Sequence, residues 1–487
     1  MTGHITTDFI AEEMSRRGYR VEFGGSAEVT GGAADSRTVR PGELFCAFPG
    51  ERTHGDAYVA DAFAAGAVAA ICSRPPADVP PGRTLVVAPD TTKAVGELAR
   101  AWRLACNPRV VGVTGTVGKT TAKDLCAAAL ARHFRVYSRR GNYNSREGLP
   151  LALLGLRRDD EVAVLEIAMD SRGEIAYLAS IALPEIGGVL NIGLTHIEKL
   201  GSIEAIAEEK LSLARALPAS GTAILNMDDP RIAPEAARLP CRVIGFGAPG
   251  SGAALVVSDA AARGLEGTSF TVAYEGRAAR VDAPLPGLHT IPAALFTIAA
   301  GIALGLPFED AAAAVSAAEL PDRRIAVRRS DTGATILDDR YNSSPASLAG
   351  ALRLLRDAEG RRIALLGKMA ELGDFEEQEH RAAGALAAEC ADVLIAVGET
   401  CRSAMALASG ARDAGHRARP LVRRPATTPP AAARAILAPR RHDPPQGLPL
   451  ARRFETRSCP LLEVRTVIHA LFSGVAIAFA VLALALG

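Results

Sequence analysis

Short apolar runs bounded by turn residues alternate along most of the chain with stretches of helical period. Residues 109–113 read as a buried parallel strand, and 162–165, 188–190 and 223–225 are continuous apolar runs, the pattern of parallel strands covered on both faces. Helix-length segments separate them, so residues 107–318 predict a doubly wound α/β domain. Ahead of it, residues 1–106 alternate in the same way around a turn-rich centre at Arg40-Pro41-Gly42 and Pro49-Gly50, with a helix expected over 58–70 and a buried strand over 84–87. Beyond it, residues 319–424 alternate again, with strands over 334–337, 362–366 and 393–397 and helices over 347–358 and 376–390. The fold class expected is therefore α/β in three domains, with no repeat of 20 to 50 residues.

The end of the chain breaks this pattern. Residues 466–487 carry no formal charge and are mostly apolar. They are long enough to span a bilayer, for which about 20 residues suffice. They follow a Pro/Arg-rich stretch, so 425–487 reads as an appended tail with one apolar helix. Attachment to a membrane is expected only through that helix.

Composition narrows the class. A length of 487 residues has room for about three domains. Lys and Arg number 55 against 54 Asp and Glu, and a net charge of +1 gives no field for nucleic acid. The eight cysteines, at 46, 72, 106, 126, 241, 390, 401 and 459, form no CxxC pair and have no histidines at zinc spacing. The first residues carry acids where a signal peptide needs a basic region and then an apolar run. A cytoplasmic enzyme in a reducing compartment is expected.

The strongest local signal is Thr114-Gly115-Thr116-Val117-Gly118-Lys119-Thr120-Thr121, which follows a strand and opens a helix. Glycines let the backbone approach a phosphate, and consecutive N–H groups and the helix N-terminus bind its oxygens. The lysine neutralises the β and γ charges, and a hydroxyl reaches Mg²⁺. The strict phosphate-loop spelling has a glycine where Val113 stands, so this is a variant loop. By itself it would serve a kinase, a GTPase or a ligase. Glu166 ends an apolar strand, Thr195-His196 follows the Asn191-Ile192-Gly193 turn, and Lys210 lies in a helical stretch. A carboxylate and an imidazole at the carboxyl ends of parallel strands lie where open α/β sheets bind ligands, and both can hold a divalent cation.

With these motifs together, the sequence resembles the Mur ligase family from about residue 30 to residue 400. The loop, GNYNSREGLPLALL (141–154), EIAMDSRGEI (166–175), and THIEKLGS with AEEKLSL (195–213) occur in the family's order and spacing. The resemblance implies an N-terminal UDP-sugar-peptide domain, a central ATP-binding domain and a Rossmann-like third domain. It implies that Thr114, Gly115, Thr116, Gly118, Lys119, Thr120, Thr121 and Asn142 bind the nucleotide. Thr120, Glu166 and His196 would serve Mg²⁺, with two cation sites expected. Lys210 would be carbamylated, which turns an amine into a carboxylate-like metal ligand. Lys119, Lys210 and His196 are thereby the expected catalytic residues.

Residues 35–71 resemble the family's UDP-sugar segment, which implies that Ser36 and Arg37 contact the uridine and diphosphate; His54 and Asp56 stand where its DGH motif falls. Residues 337–348 and 365–380 resemble the branch that adds D-alanyl-D-alanine. Asp339, Tyr341 and Asn342 would lie near the nucleotide and the incoming dipeptide, Arg323 would face the phosphates, and Glu371 and His380 would shape the far wall. The chain departs from the family at Thr290 and Ala293, where asparagines are usual, and at Ser145 and Arg146.

The activity implied is ATP-dependent joining of D-alanyl-D-alanine to UDP-N-acetylmuramoyl-tripeptide through an acyl phosphate, by a monomer. Two other readings share these residues: a sister ligase adding a different amino acid, and a non-catalytic tethered homologue that binds nucleotide or UDP-sugar. The family's third domain also ends in Asp, apolar residues and Lys-Gly-Ser-Arg. One permitted codon choice for residues 443–450, read one base later, spells Thr-Leu-Leu-Lys-Gly-Ser-Arg. The tail after about 425 is accordingly expected to lie out of frame and outside the ligase fold.

Overall fold

The computed structural model describes residues 3–50, 53–320, 326–329, 335–339, 343–398, 401–415, 419–422 and 482–486. The chain forms two units, Met1–Arg324 with Glu371–Asp374, and Ile325–Ala370 with Phe375–Gly487.

The first unit holds two main sheets. One has five strands in the order Arg20–Glu22, Thr84–Val87, Ala69–Cys72, Leu44–Cys46 and Gly32–Ala33, parallel except for the first pair. The helix expected over 58–70 is shorter than its pattern. Only Val59–Ala64 is α-helical; Gly66 turns the chain at φ +106, and Ala69–Cys72 is a fully buried strand. Small apolar residues suit either element, and burial inside the sheet decides.

The other sheet runs Arg277–Ala283, Thr268–Tyr274, Leu255–Ala262, Arg242–Gly247, Thr222–Asn226, Ile186–Val189, Arg109–Thr114, Val162–Glu166 and Val136–Tyr137. Its first two pairings are antiparallel and the rest parallel. Alternate residues of the Arg109–Thr114 strand serve two cores. Val110 joins the core that contains Trp102 and Leu178, while Val111 and Val113 join the one that contains Leu125 and Phe296. Both faces are covered, hence the unbroken apolar run. Gly188 makes one close approach possible, because a Cβ there would lie 2.3 Å from the Phe296 ring.

Helix Thr91–Cys106 links the two sheets. Its Trp102 indole donates to the Leu156 carbonyl at 3.0 Å, and Arg103 donates to that of Ala182 at 2.8 Å. Arg139 bridges them again, donating to the carbonyls of Leu151 and Gly32. In the larger sheet, Arg109–Thr114 lies between Val162–Glu166 and Ile186–Val189, so the chain crosses from one side of it to the other. A crevice outside the carboxyl ends of strands at such a switch point is where α/β sheets bind ligands.

The second unit is a six-stranded sheet in the order Ala326–Arg329, Thr335–Asp338, Leu482–Leu486, Arg361–Leu366, Val393–Gly398 and Arg419–Val422, with helices Pro345–Arg356, Glu376–Cys390 and Cys401–Asp413. Leu482–Leu486 corrects the tail expectation for the five residues described: it is a strand, antiparallel to both neighbours, and a member of the sheet. A continuous apolar run suits a strand inside a sheet as well as a bilayer helix, and period alone does not separate them. Among the described residues no helix is long and apolar enough to cross a membrane.

Candidate active site

The phosphate loop leaves the carboxyl end of Arg109–Thr114 and enters helix Lys119–Leu130 through Gly118, at φ +83. Lys119, Thr120 and Thr121 form the first turn, where backbone N–H groups have no acceptor inside the helix and the dipole favours anions. The next strand's turn clamps the loop. The Asn191 side chain accepts from Val117 N at 2.9 Å and donates to Val117 O at 3.1 Å; the Thr116 hydroxyl accepts from Gly193 N at 2.8 Å and donates to Gly193 O at 3.1 Å. Thr114 ends the strand with a buried hydroxyl that has no hydrogen-bond partner among the described residues.

Glu166, only 4% exposed, stands at the end of the neighbouring strand. One carboxylate oxygen accepts from the Thr120 hydroxyl at 2.7 Å, the other from Asn144 Nδ2 at 2.6 Å. Asn144 also donates to Asn142 Oδ1 at 2.7 Å. Hard oxygen donors from the loop and the adjacent strand fit a divalent cation of the Mg²⁺ class.

Lys210 is carried by helix Ile203–Arg215, whose first turn is capped by Ser202 Oγ accepting from Ala205 N at 3.1 Å. It is 1% exposed and donates from Nζ to the Gly115 carbonyl at 3.0 Å. Lys119 Nζ donates to that same oxygen at 2.9 Å. Burial, and then the charge of Lys119, push the Lys210 amine well below its usual range. The helix is fixed from the preceding residue, because Glu209 accepts from Gly173 N at 2.7 Å and Ile175 N at 2.9 Å.

His196 occupies a left-handed backbone position, φ +50, ahead of the short helix Ile197–Leu200. Its Nδ1 lies 3.2 Å from Asp170 Oδ1 and in contact with Glu371. Burial pushes the imidazole pKa down, opposed by the charges of Glu371 and Asp170. His196 is thus turned to a pair of carboxylates that the sequence reading did not give it.

The remaining expected residues fall in three groups. Arg37 is exposed and engaged by Asp35 through Nε–Oδ1 at 2.9 Å and Nη2–Oδ2 at 2.6 Å, with half-buried Ser36 between them. Asp56 is occupied by its own fold, accepting from Ser73 N at 2.8 Å and Arg74 N at 3.1 Å. Asp339 follows strand Thr335–Asp338 in the second unit. Arg323, Tyr341 and Asn342 lie outside the described residues. His380 is fully buried and structural: its ring contacts the Glu376 carbonyl at 2.5 Å and accepts from Met369 N at 2.8 Å, so it is no wall of an open site. Ala293 packs in the core, and the Thr290 hydroxyl donates to Gly287 O at 2.7 Å.

Asn144, Asn191, Asp170 and Glu209 were not singled out from the sequence. All four sit inside quoted motifs, but their partners are distant in sequence and no local period reveals them.

Three family models match the chain: "Mur ligase family, catalytic domain" over residues 28–103, "Mur ligase middle domain" over 113–301 and "Mur ligase, glutamate ligase domain" over 323–441. The last runs past the domain end expected at 424. The UDP-N-acetylmuramoyl-tripeptide--D-alanyl-D-alanine ligase of Bacillus subtilis is 36% identical over 74% of this chain and 77% of its own length. MurF from Acinetobacter baumannii superposes with a TM-score of 0.76 at 27% identity, over 86% of this chain and 90% of that one. MurF ligase from Thermotoga maritima in complex with ADP superposes at 0.67 and 26% identity, over 78% and 86%. On a relative this similar over about three quarters of its length, the chain belongs to the Mur ligase family.

Proposed function

We propose that this chain joins D-alanyl-D-alanine to the terminal carboxylate of UDP-N-acetylmuramoyl-tripeptide, cleaving ATP to ADP and phosphate. The observation that carries the reading is the meeting of Lys119 and Lys210 on the Gly115 carbonyl, beside the Thr120–Glu166 pair. The printed names of the B. subtilis relative and the ADP-bound T. maritima neighbour support the substrates and the nucleotide.

A carboxylate is a poor acylating agent at neutral pH, and phosphorylation removes that difficulty. The tripeptide carboxylate attacks the γ-phosphorus and ADP leaves, giving an acyl phosphate. The amine of the dipeptide attacks the acyl carbon, and phosphate leaves with its oxygen. Lys119 and the first-turn N–H groups of its helix hold the phosphates and take up the charge that develops on them. Thr120 and Glu166 would hold Mg²⁺, which when bound offsets negative charge on the transferring group. His196 and a carbamylated Lys210 would hold a second ion. Lys210 suits carbamylation because its burial favours the neutral amine, the form that adds CO₂. The enzyme would act as a monomer in the cytoplasm; the buried, unpaired thiols of Cys46, Cys72, Cys106, Cys126, Cys241 and Cys390 fit a reducing compartment.

The test is ADP release by the purified chain. Release that requires the UDP-sugar-tripeptide and D-alanyl-D-alanine together supports the reading. Release that ignores the dipeptide would overturn it.

A further inference from the structure

We propose that Arg139 is a positioning residue that couples binding at the UDP-sugar end of the first unit to binding of nucleotide and Mg²⁺ at the phosphate loop. The identity of the two ligands rests on the ligase reading; the link between them rests on geometry.

Arg139 stands two residues past the edge strand Val136–Tyr137, half-buried where the two main sheets meet. Its Nη2 donates to Gly32 O at 3.1 Å and to the Tyr143 hydroxyl at 3.2 Å, and its Nη1 donates to Leu151 O at 2.8 Å. The guanidinium carbon lies 4.0 Å from the Tyr143 ring centroid. A planar fork of fixed donors can serve these divergent acceptors at once and stack on a ring, which a lysine ammonium cannot.

The contacts lead to both sites. Gly32–Ala33 is the strand that runs into Ser36 and Arg37, the expected contacts of the uridine and diphosphate. A Cβ at Gly32 would lie 2.7 Å from the Leu151 side chain, so this strand packs directly against helix Gly148–Leu153. On the other side, Tyr143 precedes Asn144, whose side chain donates to the Glu166 carboxylate at 2.6 Å. The Arg139 carbonyl accepts from Lys123 Nζ at 2.9 Å, and buried Lys123 belongs to Lys119–Leu130, the helix that the phosphate loop enters. One residue therefore holds the strand of the UDP end, the segment behind Glu166 and the nucleotide helix. A ligand that fixes one end lowers the cost of fixing the other, and such a coupling acts equally in both directions.

Calorimetric titration of the full-length chain tests this, with ADP in the presence of Mg²⁺ as one ligand and UDP-N-acetylmuramoyl-tripeptide as the other. The wild type should bind ADP at least about fivefold more tightly once saturated with the UDP-sugar-tripeptide. In Arg139→Ala, and in the milder Arg139→Lys that keeps the charge and loses the fork, the gain should fall below about twofold while each ligand alone still binds. Arg158→Ala is the control for a general loosening of the junction, because Arg158 donates to Ala105 O at 3.2 Å and lies 5.1 Å from the Trp102 ring centroid, bracing the linking helix instead. It should keep the wild-type gain. The proposal fails if the wild type binds both ligands without coupling, if either folded Arg139 variant keeps the gain, or if Arg158→Ala loses it too. A wild type that binds no UDP-sugar-tripeptide at all would overturn the ligase reading, and the proposal with it.

Discussion

Lys119 and Lys210 donate to one carbonyl oxygen, that of Gly115, at 2.9 and 3.0 Å. Two ammonium groups so close repel, and burial together with the charge of Lys119 pushes the Lys210 amine well below its usual range.

For Lys119, truncation to alanine should lower the rate of ATP-dependent ligation by about a hundredfold or more, since a preorganised charge leaves the phosphoryl-transfer site. Turnover within tenfold of the parent, in a chain that melts normally, would remove the lysine from the site.

For Lys210, the sign of the pH dependence follows from its depressed pKa. The unfolded amine binds a proton below 10.5, its usual value, where the folded amine does not. Stability should therefore rise with pH from the folded pKa up to about 10.5. Lys210→Met should remove that part of the slope in urea unfolding measured from pH 6 to pH 9; an unaltered slope would mean that the folded amine stays charged. Ligation lost in Lys210→Ala should return in part with formate or acetate, which can refill the place of a carbamate.

Asn144 is expected to act through Glu166. Replacing it with alanine leaves one oxygen of a buried carboxylate without its donor. The Mg²⁺ concentration giving half-maximal activity should rise about 10- to 100-fold. A loss of stability with no change in Mg²⁺ dependence would reduce Asn144 to a packing role.

Gly188 tests the fold that positions the loop. Alanine would place a Cβ 2.3 Å from the Phe296 ring, against a strand that pairs directly with Arg109–Thr114. Overpacking of this kind costs about 1–3 kcal/mol. Unfolding at the wild-type midpoint would show that Phe296 can move aside without cost.

Much of this was legible before the structure. The strand over 109–113 and the helix opening at Lys119 follow from an apolar run, glycines and a lysine in fixed order, all local signals. The partners of His196 were not legible, since Asp170 and Glu371 lie 26 and 175 residues away and meet it only in the fold. Residues 58–70 misled because alanine-rich segments fit helix and strand alike. Leu482–Leu486 misled for a related reason: a long apolar run fits a bilayer helix by length alone, whereas pairing with Thr335–Asp338 and Arg361–Leu366 makes these five residues a strand. His380 looked like a site residue because a histidine in a polar motif carries no mark of its burial.

The most direct measurement follows the oxygen of the tripeptide carboxylate. UDP-N-acetylmuramoyl-tripeptide labelled with ¹⁸O at that carboxylate is incubated with ATP, Mg²⁺, D-alanyl-D-alanine and the purified chain, and product and inorganic phosphate are weighed by mass spectrometry. Ligation through an acyl phosphate predicts a product extended by the dipeptide and one ¹⁸O atom in each phosphate released. Unlabelled phosphate would contradict the acyl-phosphate route, and equal yield with glutamate or diaminopimelate in place of the dipeptide would contradict the acceptor.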